Sequence, residues 1–270
     1  MFMKKLQYLA ALAATVLVAC GDSNSGSSLD FETITVERSV SITQEAGAPQ
    51  CSVNLQLVMA KGGAAERGKA VNETIVRELL DMEGIDLKEA ADSFASKYTG
   101  DYVKNFAPLY REDRQDEQKK GWYEYHYNIK SETAPGRDGV TVYKAVIDYY
   151  EGGAHGINQL LVFNFDNDTG RKLTLADVFV PGYEQTLCQL LLDALTEETG
   201  AKDLDGLHDM GYLYSMDLFA PENFILGDDA VTFIYNPYEI APYTMGLIKL
   251  TIDNDDLEKL WKSSKNTSRN

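Results

Sequence analysis

One segment of the sequence combines a titratable side chain with unusual backbone freedom. It runs from residue 149 to residue 156 and places three glycines around His155, shortly after Tyr150. Glycine adopts backbone conformations that other residues avoid, so this loop can bring an imidazole close to a neighbouring part of the chain. Such an imidazole can act as a polar binding group or as a general base. Tyr150 and His155 are therefore candidate site residues.

A second segment, residues 235–243, combines aromatic rings with a stiffened backbone. Two prolines fix the loop, which presents Tyr238, Glu239 and Tyr243. Rigid aromatic loops bind partners with a small loss of entropy. We therefore predict that these three residues bind a ligand together with Tyr150 and His155.

These residue types leave three interpretations open. The leading one is a non-enzymatic binding surface in which His155 is a polar anchor and the tyrosines and Glu239 make aromatic and charged contacts. A rival interpretation makes His155 a general base and Glu239 a general acid in cell-wall hydrolysis. In a third, the loops only seal the core, and His155 hydrogen-bonds a buried carbonyl group.

Other signatures of chemistry in the sequence are incomplete. The histidines at positions 126, 155 and 208 lack the spacing of zinc ligands, and no nucleophile motif of the Gly-x-Ser-x-Gly type is present. Residues 63–69 match the spacing of a phosphate-binding loop, but Ala70 follows where a magnesium-binding hydroxyl is required. Asp166, Asp168 and Asp177 fit part of a calcium-loop template, yet Arg171 occupies the position that needs glycine. The sequence therefore predicts no catalytic residue, no metal site and no cofactor.

The two loops resemble a known family module. Together with residues 164–170, 175–179 and 237–243, the glycine-histidine loop is similar to the extracytoplasmic module of RsiV-type anti-sigma factors and PdaC-type peptidoglycan deacetylases. Residues 51–80 more faintly resemble the PdaC-type domain that usually precedes it. Neither a sigma-binding segment nor a deacetylase domain is recognised in this chain. The resemblance therefore implies extracytoplasmic recognition, as in the RsiV version, which binds lysozyme.

The elements that must position these loops form an α+β pattern. Residues 51–59 alternate apolar and polar side chains as in a half-buried strand, and residues 87–106 carry apolar side chains at helical spacing. Strands cluster rather than alternate with helices, which predicts two small subdomains with mostly antiparallel sheets, each packed by helices. We predict an N-terminal PdaC-like domain over residues 31–120 and a C-terminal RsiV-like domain over residues 121–265. A last helix is expected from Asp255 to Lys262.

The N-terminus has the pattern of an exported lipoprotein. Two lysines precede an uncharged apolar run that ends at Cys20, and a segment rich in serine and glycine follows. This arrangement resembles the bacterial lipobox and implies a signal peptide over residues 1–19 and a tether over residues 20–30 that bears lipid on Cys20. The expected location is the cell envelope, with a lipid anchor in a membrane that faces the periplasm or the exterior.

The charge narrows the range of partners. The formal net charge is −17, and removal of residues 1–19, which contain two lysines and no acid, makes it −19. Nucleic acid would be repelled, whereas a cationic partner would be attracted. The resemblance to the RsiV version implies a cell-wall glycan or a cationic, lysozyme-like protein as the partner. The negative charge suits the cationic protein, but it is also a common way for a protein to stay soluble.

Two cysteines remain after Cys20. Cys51 and Cys188 both fall on the apolar side of their predicted elements. An oxidising envelope permits a disulfide between them, and two buried free thiols are the alternative that we favour.

Overall fold

A computed structural model of the chain describes residues 29–61, 65–214 and 216–262. Its largest element is a six-stranded sheet in which the strands lie side by side in chain order. They are β1 (Phe31–Ser41), β2 (Gln50–Ala60), β3 (Tyr125–Pro135), β4 (Val140–Tyr150), β5 (Ile157–Asp166) and β6 (Lys172–Leu173). Neighbours are antiparallel except for β2 and β3, which are parallel. A parallel pair requires a long crossover connection, and two helices lie within it.

These two helices cover one face of the large sheet. They are α1 (Ala65–Leu80) and α2 (Leu87–Asp113). Alternate residues of β2, such as Val53 and Leu55, are fully buried against Ile75 of α1 and the small Ala91 of α2. The apolar face of β2, which has a period of two, therefore packs against the apolar faces of α1 and α2, which have helical spacing, in one core.

A second layer contains a smaller antiparallel sheet. Its strands are β7 (Phe224–Leu226), β8 (Ala230–Tyr235) and β9 (Ile248–Asp253), in that order. The helix α4 (Glu184–Thr199) buries Leu187, Leu191 and Leu195 against this sheet. The short helices α3 (Leu175–Val178) and α5 (Leu204–Asp209) belong to the same layer.

Asparagine side chains join the two sheets along the edge of β5. The Asn236 amide accepts a hydrogen bond from the Leu160 backbone N–H at 2.7 Å and donates one to the Leu160 carbonyl at 3.2 Å. Asn223 and Asn164 make bonds of the same kind between β5 and the segment around β7. These amides satisfy backbone groups that would otherwise be left unpaired at a covered sheet edge. They also fix β5 relative to the end of β8.

The predicted α+β class with mostly antiparallel sheets is confirmed. The predicted helix over residues 255–262 is wrong, because consecutive turns occupy residues 254–260. These turns lead directly to a β-bridge between Trp261 and Phe179, and this pairing requires extended backbone where the helix was expected. A 3-10 helix, Lys120–Tyr123, directly precedes β3.

The predicted boundary at residue 120 lies between two strands of one sheet. β2 precedes it and β3 follows it, and the two pair in parallel from Cys51 with Tyr125 to Gln56 with Lys130. The large sheet therefore contains strands from both predicted domains. The division into PdaC-like and RsiV-like parts stays a prediction.

Several predicted features lie outside the described residues. They are the signal peptide, most of the tether, Cys20 and the start of the phosphate-loop match at residue 63. In the part of the chain that the structure describes, Cys51 and Cys188 are free thiols, the first buried and the second half-buried. Burial raises the pKa of the Cys51 thiol to about 12. None of the helices in the described ranges has the length and apolar character that a membrane crossing requires.

Candidate functional site: the loop cluster

Three of the predicted site residues form a stack of rings at the surface. The centroids of the His155 and Tyr243 rings are 4.0 Å apart, with an interplanar angle of 18°. Tyr238 lies 6.3 Å from His155 and 5.6 Å from Tyr243 by the same measure. Tyr238 is 59% exposed, so the stack presents a large aromatic face to solvent. We call His155, Tyr238 and Tyr243 the ring cluster.

The glycine-rich loop after β4 delivers His155 to the ring cluster. Gly152 and Gly153 have φ values of +83° and +102°, in the region that favours glycine. A Cβ at Gly152 would lie 2.8 Å from the Trp122 carbonyl oxygen, so this position also has no room for a side chain. The Tyr150 hydroxyl donates a hydrogen bond of 2.9 Å to the Gly153 carbonyl and closes the turn.

The loop between β8 and β9 holds the two tyrosines. Its first turn is closed by a hydrogen bond of 3.1 Å from the Glu239 N–H to the Asn236 carbonyl. The Glu239 carboxylate in turn accepts a hydrogen bond of 2.7 Å from the Asn236 N–H. Tyr238 lies between them with φ of +74°, a conformation that costs free energy for a residue with a side chain. Because Asn236 is fixed to Leu160, the loop is anchored to β5 shortly after the end of the histidine loop.

The hydrogen bonds of His155 fix the position of its proton. Nδ1 lies 2.8 Å from the Gly156 carbonyl oxygen, which can only accept, so Nδ1 carries hydrogen and donates. Nε2 lies 3.1 Å from the Tyr238 hydroxyl, and in the neutral ring it accepts a hydrogen bond from that hydroxyl. A general base at His155 would have to release Tyr238 first.

Tyr150 and Glu239 have other contacts. The Tyr150 ring stacks on His126, with centroids 6.3 Å apart. Glu239 is half-buried, and burial raises the pKa of its carboxyl group, partly offset by its hydrogen bonds from Asn236. Both residues therefore support the two loops, while the ring cluster itself is made by His155, Tyr238 and Tyr243.

An aromatic groove on the other side of the histidine loop was missed by the sequence reasoning. α2, the end of α1, β3 and Glu151 line a cavity of about 550 Å³. The Tyr98 hydroxyl donates a hydrogen bond of 2.8 Å to Glu151, so the loop that carries His155 also contacts α2. The available signal was an aromatic residue at every fourth position of α2, namely Phe94, Tyr98, Tyr102 and Phe106, a spacing from which only a helix was predicted.

Two of the three acids of the calcium-like template, Asp166 and Asp177, have structural partners. The Asp166 carboxylate accepts hydrogen bonds from the Thr169 N–H and hydroxyl at 2.8 and 2.7 Å. Asp177 pairs with both terminal nitrogens of Arg171 at 2.9 Å and caps α3 through Thr174. The hydrogen bond from Arg171 is the largest cause of a lowered pKa at Asp177. These contacts give the acids a role in the turn after β5.

Comparison with known proteins agrees with this fold. A family model described as "Protein of unknown function (DUF3298)" matches residues 176–255, a range that includes Tyr238 and Tyr243 but not His155. No curated protein matches the chain. A solved structure of a DUF3298 family member from Bacteroides fragilis has a TM-score of 0.80 and 27% identity, covering 87% of this chain and 94% of that chain.

A second solved structure supports the fold alone. A DUF3298 family protein from Pseudomonas aeruginosa PAO1 has a TM-score of 0.60 at 20% identity, covering 87% of this chain and 95% of that chain. Both likenesses extend well beyond the 176–255 range of the family model. The chain is therefore similar over most of its length to DUF3298 proteins. At a coarse level, this agrees with the expected resemblance to the C-terminal module of RsiV-type and PdaC-type proteins.

Proposed function

We propose that this chain is a lipid-anchored cell-envelope protein that binds a partner through the ring cluster. The observation that carries the proposal is the exposed stack of His155, Tyr238 and Tyr243, which is built from two loops and fixed by hydrogen bonds. Aromatic rings in rigid loops supply large contact areas with little entropic cost, and they dominate many binding interfaces.

The strain at Tyr238 supports a binding role. Its positive φ is unfavourable for a tyrosine, yet the side chain is mostly exposed and its loss would leave no cavity. A residue that is strained and exposed contributes little to folding. Backbone strain of this kind clusters at ligand-binding sites.

The charge favours a cationic protein as the partner. A formal net charge of −17 attracts basic proteins over long distances and repels nucleic acid and anionic surfaces. A lysozyme-like protein has the required sign, and a cell-wall glycan is the alternative ligand. The lipobox-like sequence at Cys20 supports a location at which either ligand would be met.

A binding experiment on the purified lipoprotein tests the proposal. Retention on immobilised lysozyme and co-sedimentation with peptidoglycan are measured for the wild type and for a Tyr238→Ala, Tyr243→Ala double variant. We expect the variant to bind at least about tenfold more weakly, because aromatic residues at the centre of an interface carry much of its free energy. The control is Leu109→Ala, which removes an exposed apolar side chain of α2. The proposal would be contradicted if the double variant bound as well as the Leu109→Ala control. It would also be contradicted if the wild type bound neither lysozyme nor peptidoglycan.

The anchor is tested separately. Mass spectrometry of the native protein should find acyl chains on Cys20 as the first residue. Replacement of Cys20 by serine should release the protein from the membrane fraction. An intact leader on the mature protein would contradict the proposed anchor.

A further inference from the structure

The aromatic groove beside α2 has the composition of a site for an organic cation. Its floor is formed by Tyr102 and Leu80, which are buried. Its walls are half-buried rings that remain partly open to solvent, namely Phe94, Tyr98, Phe106 and Tyr125. A volume of about 550 Å³ is within the range of small-molecule sites.

The rings of the groove are arranged so that several faces and edges line the same space. Tyr125 lies 5.0 Å from Phe106 and 5.1 Å from Tyr102, both in tilted contact. Phe94 and Tyr98 stack at 5.9 Å one turn apart along α2. The two cation–ring contacts of the described residues, Arg137 with Trp261 and Lys172 with Phe163, lie elsewhere. Among the described residues, none of these cation–ring contacts therefore involves a ring of the groove.

The charged residues of the lining are mostly acidic. Asp81, Asp101 and Glu151 contribute carboxylates, and Lys97 contributes the one ammonium group among the lining residues. Lys97 is already paired with Asp101 at 2.9 Å. An approaching ammonium group would therefore meet a net negative charge as well as aromatic faces, and both attract it.

Glu151 is the lining carboxylate that hydrogen-bonds a tyrosine of the groove wall. One of its oxygens accepts the hydrogen bond from Tyr98, and within the described part of the chain the other oxygen has no hydrogen-bond partner. Burial is the main cause of the raised pKa values of Tyr98 and Tyr125, and the negative charge of Glu151 is a further cause. The carboxylate is therefore held by the Tyr98 hydroxyl at the groove, with one oxygen left for an approaching cation.

We infer that this groove binds a small organic cation that carries an alkylammonium group, with Glu151 as its anionic partner and the rings of Phe106 and Tyr125 as its aromatic wall. The site is distinct from the ring cluster, and the inference does not depend on what the ring cluster binds. A neutral saccharide could stack on the same rings, but it would gain nothing from the excess of carboxylates. An anion would be repelled.

Calorimetric titration of the whole protein at low ionic strength tests the inference. The probe is cadaverine, a linear diamine, and the neutral comparison is 1,5-pentanediol of the same length. Chitotriose represents the saccharide. We expect cadaverine to bind at one site and the other two compounds to give no saturable heat.

Variants locate the site. Glu151→Gln keeps an oxygen that can accept a hydrogen bond from Tyr98 but removes the charge. We expect it to weaken cadaverine binding roughly tenfold or more, because a charge-assisted hydrogen bond is lost. The matched control is Glu197→Gln, which makes the same charge change at an exposed position of α4. It should leave the affinity within about twofold of the wild type, since distant exposed charges are screened. Phe106→Leu, which keeps an apolar side chain, should also weaken binding and serves if Glu151→Gln does not fold.

Three results would overturn the inference. The first is equal weakening by Glu151→Gln and Glu197→Gln, which would mean attraction by overall charge. The second is binding of pentanediol or chitotriose as tight as that of cadaverine. The third is the absence of a saturable cadaverine site in the folded wild type.

Discussion

The Nε2 atom of His155 lies 3.1 Å from the hydroxyl oxygen of Tyr238, a residue 83 positions further along the chain. This contact joins the loop after β4 in the large sheet to the loop after β8 in the small one. Its geometry depends on Asn236, which ties the second loop to β5. The proposed binding surface therefore exists only when both sheets are docked.

The strain at Tyr238 gives a prediction that separates binding from folding. Tyr238→Gly removes the ring and also relieves a φ of +74°, whereas Tyr238→Ala removes the ring and keeps the strained conformation. We expect the glycine variant to be more stable than the alanine variant by about 1 kcal/mol in urea unfolding. Both should lose binding to the partner. An alanine variant as stable as the glycine variant would show that the loop relaxes without the ring.

Asn236 should be more important for stability than its position in a loop suggests. The side chain is only 4% exposed and pairs with both backbone groups of Leu160. Asn236→Ala would leave the half-buried Leu160 N–H without its acceptor, so we expect a loss of about 1–2 kcal/mol in the free energy of unfolding. The control is Asn158→Ala on the same strand, where the side chain is exposed and the expected change is below about 0.5 kcal/mol. Similar losses in the two variants would contradict this assignment.

The local patterns of the sequence predicted most of the elements. In β2 the alternation of apolar and polar residues from Cys51 to Met59 matches the burial of the strand, and the apolar spacing in residues 87–106 matches α2. Such periodicities record which face of an element is buried. These periodicities predict the elements well because every residue of a helix or strand is either on its buried face or on its exposed face.

The same patterns do not record what lies opposite a buried face. The parallel pairing of β2 with β3 across residue 120, the amide contacts of Asn236 and the closeness of His155 to Tyr238 all join distant segments. Each depends on how the layers dock, which no local spacing encodes. The aromatic residues of α2 show the same limit, because a ring that is half in the core and half in a groove has the spacing of a core residue.

Gly170 and Gly84 have similar backbone conformations but different space for a side chain, so the cost in stability of adding a Cβ can be compared between them. Their φ values are +71° and +69°, but a Cβ at Gly170 would lie 2.1 Å from the Arg67 carbonyl oxygen, while a Cβ at Gly84 would have nothing within 4 Å. Gly84→Ala should therefore cost only the conformational penalty of about 1 kcal/mol. Gly170→Ala adds a backbone clash and should cost about 3 kcal/mol or more. Thermal and urea unfolding would measure both, and equal losses would mean that the backbone at Arg67 moves away freely.

The raised pKa of Glu239 predicts that the stability of the protein falls as the pH rises. Burial is the main cause that raises the pKa of its carboxyl group above 4.5, its ordinary value. The folded protein thus holds the proton more tightly than the unfolded chain. The stability contributed by the neutral acid is fully present below pH 4.5 and is lost as the pH rises through the folded-state pKa.

Glu239→Gln removes this dependence, since the amide is neutral at every pH and its oxygen can still accept from the Asn236 N–H. The variant should therefore gain stability relative to the wild type as the pH is raised from below 4.5 towards neutrality. Urea unfolding at a series of pH values measures the difference. Glu197→Gln, the same substitution at an exposed position of α4, is the matched control. A Glu239→Gln difference that shrinks as the pH rises would mean that the Asn236 hydrogen bonds outweigh burial and that the carboxylate stabilises the loop as an anion.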